Sequence, residues 1–168
     1  MSQVEIERRF LLAELPPDWA RQARASRIEQ AYLLIEEDGR ELRMRRRDGA
    51  CSLAVKSGQG LSRQEQEQAI SGELFDMLWP LTAGRRLEKT RYELPQGGYL
   101  FEIDVYAGDL APLCVLEVEF ESLDEARGFT PPAQALRELT EDPRYRNASL
   151  ALASSWERQR IVKVLSSP

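Results

Sequence analysis

The chain has 168 residues, of which 42% are hydrophobic and 30% charged, and its net charge is -5 at pH 7. This length and composition fit one domain over residues 1–168 with its own core. The acidic balance argues against non-specific binding to nucleic acid, and no stretch is apolar enough to span a bilayer. We therefore expect a cytoplasmic protein with neither a nucleic-acid nor a membrane partner.

The residue types that are absent or rare exclude several kinds of active site. There is no histidine, which removes the usual general base, the usual zinc ligands and every Ser-His or Cys-His nucleophile. The two cysteines, Cys51 and Cys114, lie far apart and are expected to be ordinary thiols. An enzyme of this composition must use carboxylates, Arg, Lys, Tyr, hydroxyls and hard metal ions.

Short segments with period-2 alternation follow one another along the chain and predict antiparallel strands. Turn signals separate them at Asp38-Gly39, Asp48-Gly49, Gly58-Gln59-Gly60 and Gln96-Gly97-Gly98. The predicted strands are Val4–Leu12, Arg27–Ile35, Glu41–Arg47, Ser52–Ser57, Ser62–Ala69, Arg86–Glu93, Tyr99–Tyr106 and Leu113–Glu121. Eight consecutive strands predict a closed or nearly closed barrel, because so many strand edges must be paired.

Helical signals are fewer and fall between or after the strands. A helix over Ser71–Trp79 is predicted, with Ser71 as its N-cap and Pro80 ending it. Ser122 or Asp124 could cap a helix from Glu125. The remaining predicted helices run from Pro131-Pro132 toward Leu139 and from Asn147 to about Val164.

Charged residues recur at every second position of the predicted strands, so each strand has one charged face and one apolar face. The charged faces hold Glu5, Glu7 and Arg9; Arg43 and Arg45; Lys56; Arg63, Glu65 and Glu67; Lys89 and Arg91; Glu102 and Asp104; and Glu117 and Glu119. On a single strand this pattern is typical of a solvated sheet face. Repeated on seven strands, it favours a barrel with charges inside and apolar residues outside, beneath the helices.

Such an interior predicts a ligand of a particular chemistry. Carboxylates on adjacent strands favour Mg²⁺ or Mn²⁺, which prefer oxygen ligands. Arginine and lysine supply donors for phosphate oxygens. Both sets together suit a polyanionic phosphate that chelates a divalent cation.

The motifs that carry these charges resemble those of the CYTH, or triphosphate tunnel metalloenzyme, superfamily. Glu5-Ile6-Glu7-Arg8-Arg9 is similar to the ExExK signature of that family. The agreement continues in chain order through Leu42-Arg43-Met44-Arg45, Val55-Lys56, Ser62-Arg63-Gln64-Glu65-Gln66-Glu67, Glu88-Lys89-Thr90-Arg91-Tyr92, Glu102-Ile103-Asp104-Val105, Leu116-Glu117-Val118-Glu119-Phe120 and Thr140-Glu141-Asp142-Pro143-Arg144-Tyr145-Arg146-Asn147. An isolated ExExK would be weak evidence, whereas this ordered set covers nearly the whole chain.

The resemblance implies an eight-stranded antiparallel β-barrel tunnel, mainly β with a few covering helices, that hydrolyses small triphosphates with Mg²⁺ or Mn²⁺. The short bacterial branch acts mainly on inorganic tripolyphosphate. The implied metal ligands are Glu5, Glu7 and Glu119, with Glu117 and Asp104 in support. The implied phosphate-binding residues are Arg9, Arg43, Arg45, Lys56, Arg63, Lys89 and Arg91. Glu5, Glu7, Arg9, Glu65 and Glu67 are the implied catalytic residues, the last two as acids that position metal or water.

One position departs from the family signature, because Arg9 stands where the family ordinarily has lysine. Arginine remains charged and cannot serve as a base, whereas a buried lysine can titrate near neutrality. A phosphate-binding role would tolerate the exchange with changed geometry. A role in preparing the attacking water would make this protein slower or alter its substrate choice.

Three other functions remain open on sequence alone. An organic triphosphatase or an adenylyl cyclase would need base-binding groups at the tunnel mouth, for which Tyr32 and Trp19 are candidates, although both could simply pack. A polyphosphate sensor would bind without cleavage, and a solvated β-sandwich would not bind triphosphate. A homodimer surface could involve Trp79, Trp156 and Leu150–Leu152, which could equally belong to the core.

Overall fold

The computed structural model describes residues 3–57 and 62–163, with side chains described over 5–57 and 64–163. All eight predicted strands are present, with bounds close to those expected. They are β1 Gln3–Leu12, β2 Arg24–Ile35, β3 Glu41–Arg47, β4 Ala50–Ser57, β5 Ser62–Ile70, β6 Arg86–Gln96, β7 Tyr99–Tyr106 and β8 Cys114–Phe120. The predicted loop Gly58-Gln59-Gly60 lies outside the described residues.

The strands form one antiparallel sheet that curls around a central lumen. Its order is β5-β4-β3-β2-β6-β7-β8-β1-β9, where β9 is a short strand over Ala135–Glu138, and β5 also pairs with β1. The β1–β5 contact is short and runs from Gln3 opposite Glu65 to Ile6 opposite Ser62. Farther along the same edge β1 pairs with β9, so the sheet is not closed along its full length. The predicted eight-stranded tunnel architecture is confirmed, with a ninth strand added.

Five helices accompany the sheet in the described part of the chain. They are α1 Pro17–Gln22, α2 Gly72–Leu78, α3 Leu123–Gly128, α4 Asn147–Leu152 and α5 Ser155–Lys163. The predicted caps of α2 and α3 are confirmed, because the hydroxyls of Ser71 and Ser122 each accept a backbone N–H bond at 3.1 Å. The tail that was predicted as one helix forms two, α4 and α5.

Two predictions about short elements differ from the structure. The helix predicted from Pro131-Pro132 toward Leu139 is wrong, because this segment contributes β9 instead. The free edge of β1 provides the pairing: Phe10 lies opposite Glu138, and the Leu139 N–H donates to the Arg9 carbonyl at 2.7 Å. Pro80 does not end the helical segment, because a 3-10 turn over Trp79–Thr82, which includes Pro80, directly follows α2.

The apolar faces of the strands point outward and are covered by helices, as the inside-out reading predicts. One cluster combines Phe10 and Leu12 of β1 with Trp19 of α1 and Ala126 of α3. A second packs Phe75 of α2 against Ala31, Met44 and Cys51. Burial of these faces supplies the core, and it leaves the charged faces to line the lumen.

A third apolar cluster fills one end of the lumen. Along β1 the inward-facing series Glu7, Arg9 continues to Leu11, which is 3% exposed. Leu11 belongs to one buried cluster with Val115 of β8 and with Leu150 and Ala151 of α4. The lumen therefore changes from charged to apolar along its length, and α4 closes the apolar end.

The residues considered for a dimer surface divide between core and surface. Leu150 and Ala151 are buried, and Trp79 stacks on Phe75 with ring centroids 5.2 Å apart. Leu152 and Trp156 are exposed. A homodimer stays a prediction.

Both cysteines are buried free thiols, as expected. Burial raises the pKa of the Cys114 thiol to about 12, which makes it unreactive. No helix in the described ranges is long and apolar enough to cross a membrane.

Candidate active site

A cavity of about 300 Å³ occupies the charged part of the lumen. Among the described residues, its lining includes eight acidic and eight basic side chains. The acids are Glu5, Glu7, Glu41, Glu65, Glu67, Glu102, Glu117 and Glu119; the bases are Arg9, Arg43, Arg45, Arg47, Lys56, Lys89, Arg91 and Arg146. Gln30, Tyr32, Asn147 and Ala148 complete it. Opposite charges in equal number allow so many ionised groups to share one partly buried space.

Four carboxylates face one another across β1, β7 and β8 and form what we call the acidic cluster: Glu7, Glu102, Glu117 and Glu119. The strand register places Glu7 opposite Glu119 and Glu102 opposite Glu117. Burial raises the pKa of Glu7, and the charges of Glu117 and Glu119 raise it further. Burial likewise raises the pKa of Glu102 and of Glu119, again helped by neighbouring carboxylates. Like charges directly across a sheet are destabilising, so this cluster favours a bound cation.

Glu5 lies beside a second acid, Glu65, where β1 meets β5. Burial and a hydrogen bond with Glu65 raise the pKa of Glu5 to about 7. Lys56 contacts both carboxylates, with its ammonium nitrogen 2.9 Å from Glu5 and 2.5 Å from Glu65. Arg43 also contacts Glu65 at 2.6 Å. Although burial would raise it, the hydrogen bond with Glu5 and the charges of Arg43 and Lys56 lower the pKa of Glu65 to about 2, so the proton of this pair lies on Glu5.

The donor set fits a hard divalent cation in its chemistry, because several carboxylates with raised pKa values share a small volume. In the described parts of the chain, no three acidic or thiol side chains already stand in a ligating arrangement. Binding would therefore need rotation of the glutamate side chains.

Two arginines of β3 are held by the acids of β5. Arg45 contacts Glu67 at 2.8 Å, and Arg43 contacts Glu65 at 2.6 Å and Glu67 at 3.2 Å. The Arg43 Nε is buried and has no hydrogen-bond partner among the described residues. A buried donor without a partner is costly, and an anion in the cavity would satisfy it.

Lys89 and Arg91 of β6 are fixed from behind by Asp104. Asp104 is fully buried and does not line the cavity; Arg91 donates to it from Nε at 2.8 Å and from Nη2 at 2.7 Å, and Lys89 donates as well. Arg91 also donates to Glu117 at 2.7 Å. Although burial would raise it, the charges of Arg91 and Lys89 lower the pKa of Asp104 to about 2. Asp104 therefore orients the side chains of Lys89 and Arg91.

Arg9 reaches the segment that precedes α4. Its guanidinium donates to the carbonyls of Tyr145 at 3.1 Å and Thr140 at 3.4 Å, and its Nε lies 3.8 Å from Glu7. The Arg9 Nε is a second buried donor without a hydrogen-bond partner among the described residues. The arginine at this position therefore contacts the C-terminal segment while its positive charge lies beside Glu7.

The sequence-predicted site residues come together, with two exceptions. Asp104 lies behind the cavity wall, and the side chain of Arg63 lies outside the described part of the chain, although its backbone pairs with Glu5. The roles given to the other residues as metal ligands, phosphate-binding groups or catalytic acids stay predictions. Of the two aromatic candidates, Tyr32 lines the cavity at 1% exposure, while Trp19 packs against Phe101 in the outer core.

Several lining residues were not predicted to have a role in the site: Gln30, Glu41, Arg47, Glu102, Arg146 and Asn147. Arg47 and Glu102 continue the alternation of Arg45 and Asp104, so the strand pattern could have predicted that they line the lumen. Arg146 and Asn147 lie at the start of α4 and not on a strand, so alternation along a strand could not predict that they line the lumen.

Two named relatives cover nearly the whole chain. The chain is 49% identical over 151 residues to an inorganic triphosphatase of Nitrosomonas europaea, across 89% of this chain and 97% of that protein. It is 32% identical over 148 residues to an inorganic triphosphatase of Acetivibrio thermocellus, across 87% and 92% of the two chains. No family model matches the chain.

Solved structures agree with this similarity. A crystal structure of an inorganic triphosphatase, 45% identical, superposes with a TM-score of 0.69 over 89% of this chain and 95% of its own. A protein of Pyrococcus horikoshii at 16% identity gives a TM-score of 0.55 over 74% and 82% of the chains, and it shows likeness of fold alone.

Proposed function

This chain belongs to the CYTH-like inorganic triphosphatases, and on that premise we propose that it hydrolyses inorganic tripolyphosphate to diphosphate and phosphate with a divalent cation. The observation that carries the proposal is a single cavity that holds a cluster of carboxylates with raised pKa values beside a set of arginines and lysines. Acids alone would suit a cation and bases alone an anion. Their combination suits an anion that enters with its cation.

The size and lining of the cavity support an inorganic substrate over a nucleotide. Its volume of about 300 Å³ lies at the lower end of ligand sites, which run from roughly 300 to 1,000 Å³. Sixteen of the twenty described lining residues are charged, and the one aromatic side chain among them, Tyr32, is almost fully buried. A nucleobase would find little apolar surface for stacking.

The bases of the cavity would bind the phosphate chain. Arg43 and Arg45 would contact it from β3, Lys56 from β4, and Lys89 and Arg91 from β6. The partnerless Nε groups of Arg9 and Arg43 support this role, since phosphate oxygens would satisfy donors that the protein leaves unpaired. Fixed donors in this number would also spread the charge that develops on the departing diphosphate.

Mg²⁺ or Mn²⁺ would be held by Glu5, Glu7, Glu117 and Glu119. When bound, such an ion supplies charge stabilisation at phosphate oxygens and lowers the pKa of water. Asp104 would not take part, because both its oxygens accept bonds from Lys89 and Arg91.

The attack itself would be by water, in line with the departing diphosphate. Glu65 and Glu67 contribute indirectly, because they hold the guanidinium groups of Arg43 and Arg45 in place. Positioning and electrostatic stabilisation then account for catalysis without a covalent intermediate.

Glu7→Gln tests the acidic cluster. We expect the variant to fold and to lose at least about 100-fold of its Mg²⁺-dependent phosphate release from tripolyphosphate, because one charged ligand is gone. Glu88→Gln is the matched control, since Glu88 is an exposed partner of Arg27 on the outer surface. Equal activity of folded Glu7→Gln and Glu88→Gln proteins would reject the metal assignment.

A further inference from the structure

Arg146 stands out among the eight basic residues of the cavity lining by its surroundings. It lies between a 3-10 turn over Pro143–Tyr145 and the first residue of α4, on a segment that is not part of the barrel. Its backbone is extended, with φ -70° and ψ 141°, and its carbonyl accepts the Leu150 N–H at 2.9 Å. Arg146 lines the cavity next to the end that α4 closes.

The residues on both sides of Arg146 are tied to bases of the cavity. The Tyr145 carbonyl accepts a bond from Arg9. The Asn147 side-chain oxygen accepts bonds from the Tyr106 hydroxyl at 2.6 Å and from Lys89 at 3.3 Å. These contacts fix the backbone at Arg146, so its side chain starts from a defined point beside Arg9 and Lys89.

The guanidinium of Arg146 forms no ion pair in the described parts of the chain, unlike the other basic groups that line the cavity. Each of the other seven bases lies within 4 Å of at least one carboxylate, Arg9 being the loosest at 3.8 Å from Glu7. Within residues 3–57 and 62–163, Arg146 has neither an ion pair nor a side-chain hydrogen bond. Among the described bases of the cavity, the one at the closed end is therefore the least neutralised.

An uncommitted arginine has a specific chemical use there. Its planar fork of donors matches two oxygens of one phosphate group, and it need not first break an ion pair within the protein. A terminal phosphate carries more charge and more free oxygens than a bridging one. It is therefore the part of a polyphosphate that such a group recognises best.

We propose that Arg146 binds a terminal phosphate of the substrate at the closed end of the cavity, with Arg9 and Lys89 beside it. The proposal rests on the function proposed above and assigns a substrate-binding role to a residue outside the barrel strands. It makes the segment before α4 part of the binding site, and it explains why two cavity bases hold that segment.

The test compares Arg146→Gln with Arg144→Gln, a matched control two residues away. Arg144 is exposed, pairs with Asp142 at 2.7 Å and does not line the cavity. Binding of tripolyphosphate is measured by calorimetry in EDTA, where no turnover occurs, and kcat and KM are measured with Mg²⁺. We expect affinity and kcat/KM to fall about tenfold or more in Arg146→Gln, with KM carrying most of the change, and to stay within twofold in Arg144→Gln.

Arg146→Lys separates charge from geometry and guards against a folding defect. It should bind tripolyphosphate with an affinity between those of the wild type and Arg146→Gln, because it keeps the charge without the fork. Affinity and kcat/KM unchanged in folded Arg146→Gln would overturn the role of Arg146. Wild-type protein that binds tripolyphosphate without releasing phosphate would instead reject the proposed hydrolysis, while the calorimetric comparison would still decide on Arg146. A wild type that neither binds tripolyphosphate nor releases phosphate from it with Mg²⁺ would overturn both.

Discussion

Adjacent arginines in the opening motif have opposite orientations and different tasks. Arg9 faces the lumen, 3.8 Å from Glu7, while Arg8 faces outward and donates to Glu138 at 2.8 and 2.7 Å. Strand alternation decides this, because successive side chains point to opposite faces. Substitutions at these two adjacent positions therefore have different effects. A change at Arg9 alters the cavity, whereas a change at Arg8 alters packing on the outer face of the sheet.

Replacing Arg9 by the family's lysine tests what the arginine adds. Arg9→Lys should retain metal-dependent hydrolysis, because the positive charge beside Glu7 remains. Its free energy of unfolding should fall by about 1–2 kcal/mol, because a lysine does not reproduce both bonds to the carbonyls of Thr140 and Tyr145. Urea denaturation measures the change, and an unfolding free energy equal to that of the wild type would contradict the anchoring role.

How far the sequence predicts individual site residues depends on whether they lie on strands. Glu7, Arg45 and Lys89 follow from period-2 alternation, which identifies a shared face without any knowledge of contacts. Alternation also put Asp104 on the lumen side, but it could not show that Lys89 and Arg91 use both its oxygens. Arg146 could not be predicted in this way, because only tertiary packing of α4 brings it to the cavity.

Among the elements, the eight strands of seven to twelve residues were predictable, and the four-residue β9 was not. β2 and β6 have twelve and eleven residues, so the alternation repeats often enough to identify them. β9 has four residues and forms because β1 offers an unpaired edge, which is a property of the assembled sheet. The six residues of α1 are too few for a helical period to appear, and α1 lacks the side-chain N-cap that made the equally short α3 predictable.

The attachment of β9 and α3 to β1 depends heavily on Arg8. Besides its two bonds to Glu138, Arg8 donates to the carbonyls of Ala126 at 2.8 Å and Phe129 at 3.0 Å. Arg8→Ala should lower the free energy of unfolding by about 2–3 kcal/mol, because these bonds are lost together. KM for tripolyphosphate should change less than twofold, since the side chain does not line the cavity.

Chemical denaturation and steady-state kinetics on the same Arg8→Ala preparation distinguish the two effects. Full stability with a raised KM would contradict the assignment of Arg8 to the outer surface.

For the whole molecule, the cavity charges couple stability to pH and to the metal. Glu5 has a folded pKa of about 7 against 4.5 in a model peptide, and the pKa values of Glu7 and Glu119 are also raised. The folded, metal-free protein thus holds protons that the unfolded chain releases above pH 4.5. The stability from these groups is fully present below pH 4.5 and is lost as pH rises toward about 7.

Asp104 acts in the opposite direction. Its pKa is lowered from 3.8 to about 2, so the stability that it contributes is present above pH 3.8 and is lost as pH falls toward 2. Metal-free protein should therefore have its highest Tm near pH 4–5, with a decline on both sides. Mg²⁺ should reduce the decline above pH 5, because the cation replaces the protons on the carboxylates. A Tm in EDTA that stays constant between pH 5 and 7.5 would contradict this linkage.

Release of phosphate from inorganic tripolyphosphate, with Mg²⁺, with Mn²⁺ and in EDTA, tests the central claim most directly, with ATP and thiamine triphosphate as competing substrates. The small, charged cavity predicts cation-dependent release with a strong preference for tripolyphosphate, and no cyclic product from ATP. Preferential turnover of either organic triphosphate, or release that persists in EDTA, would contradict the account.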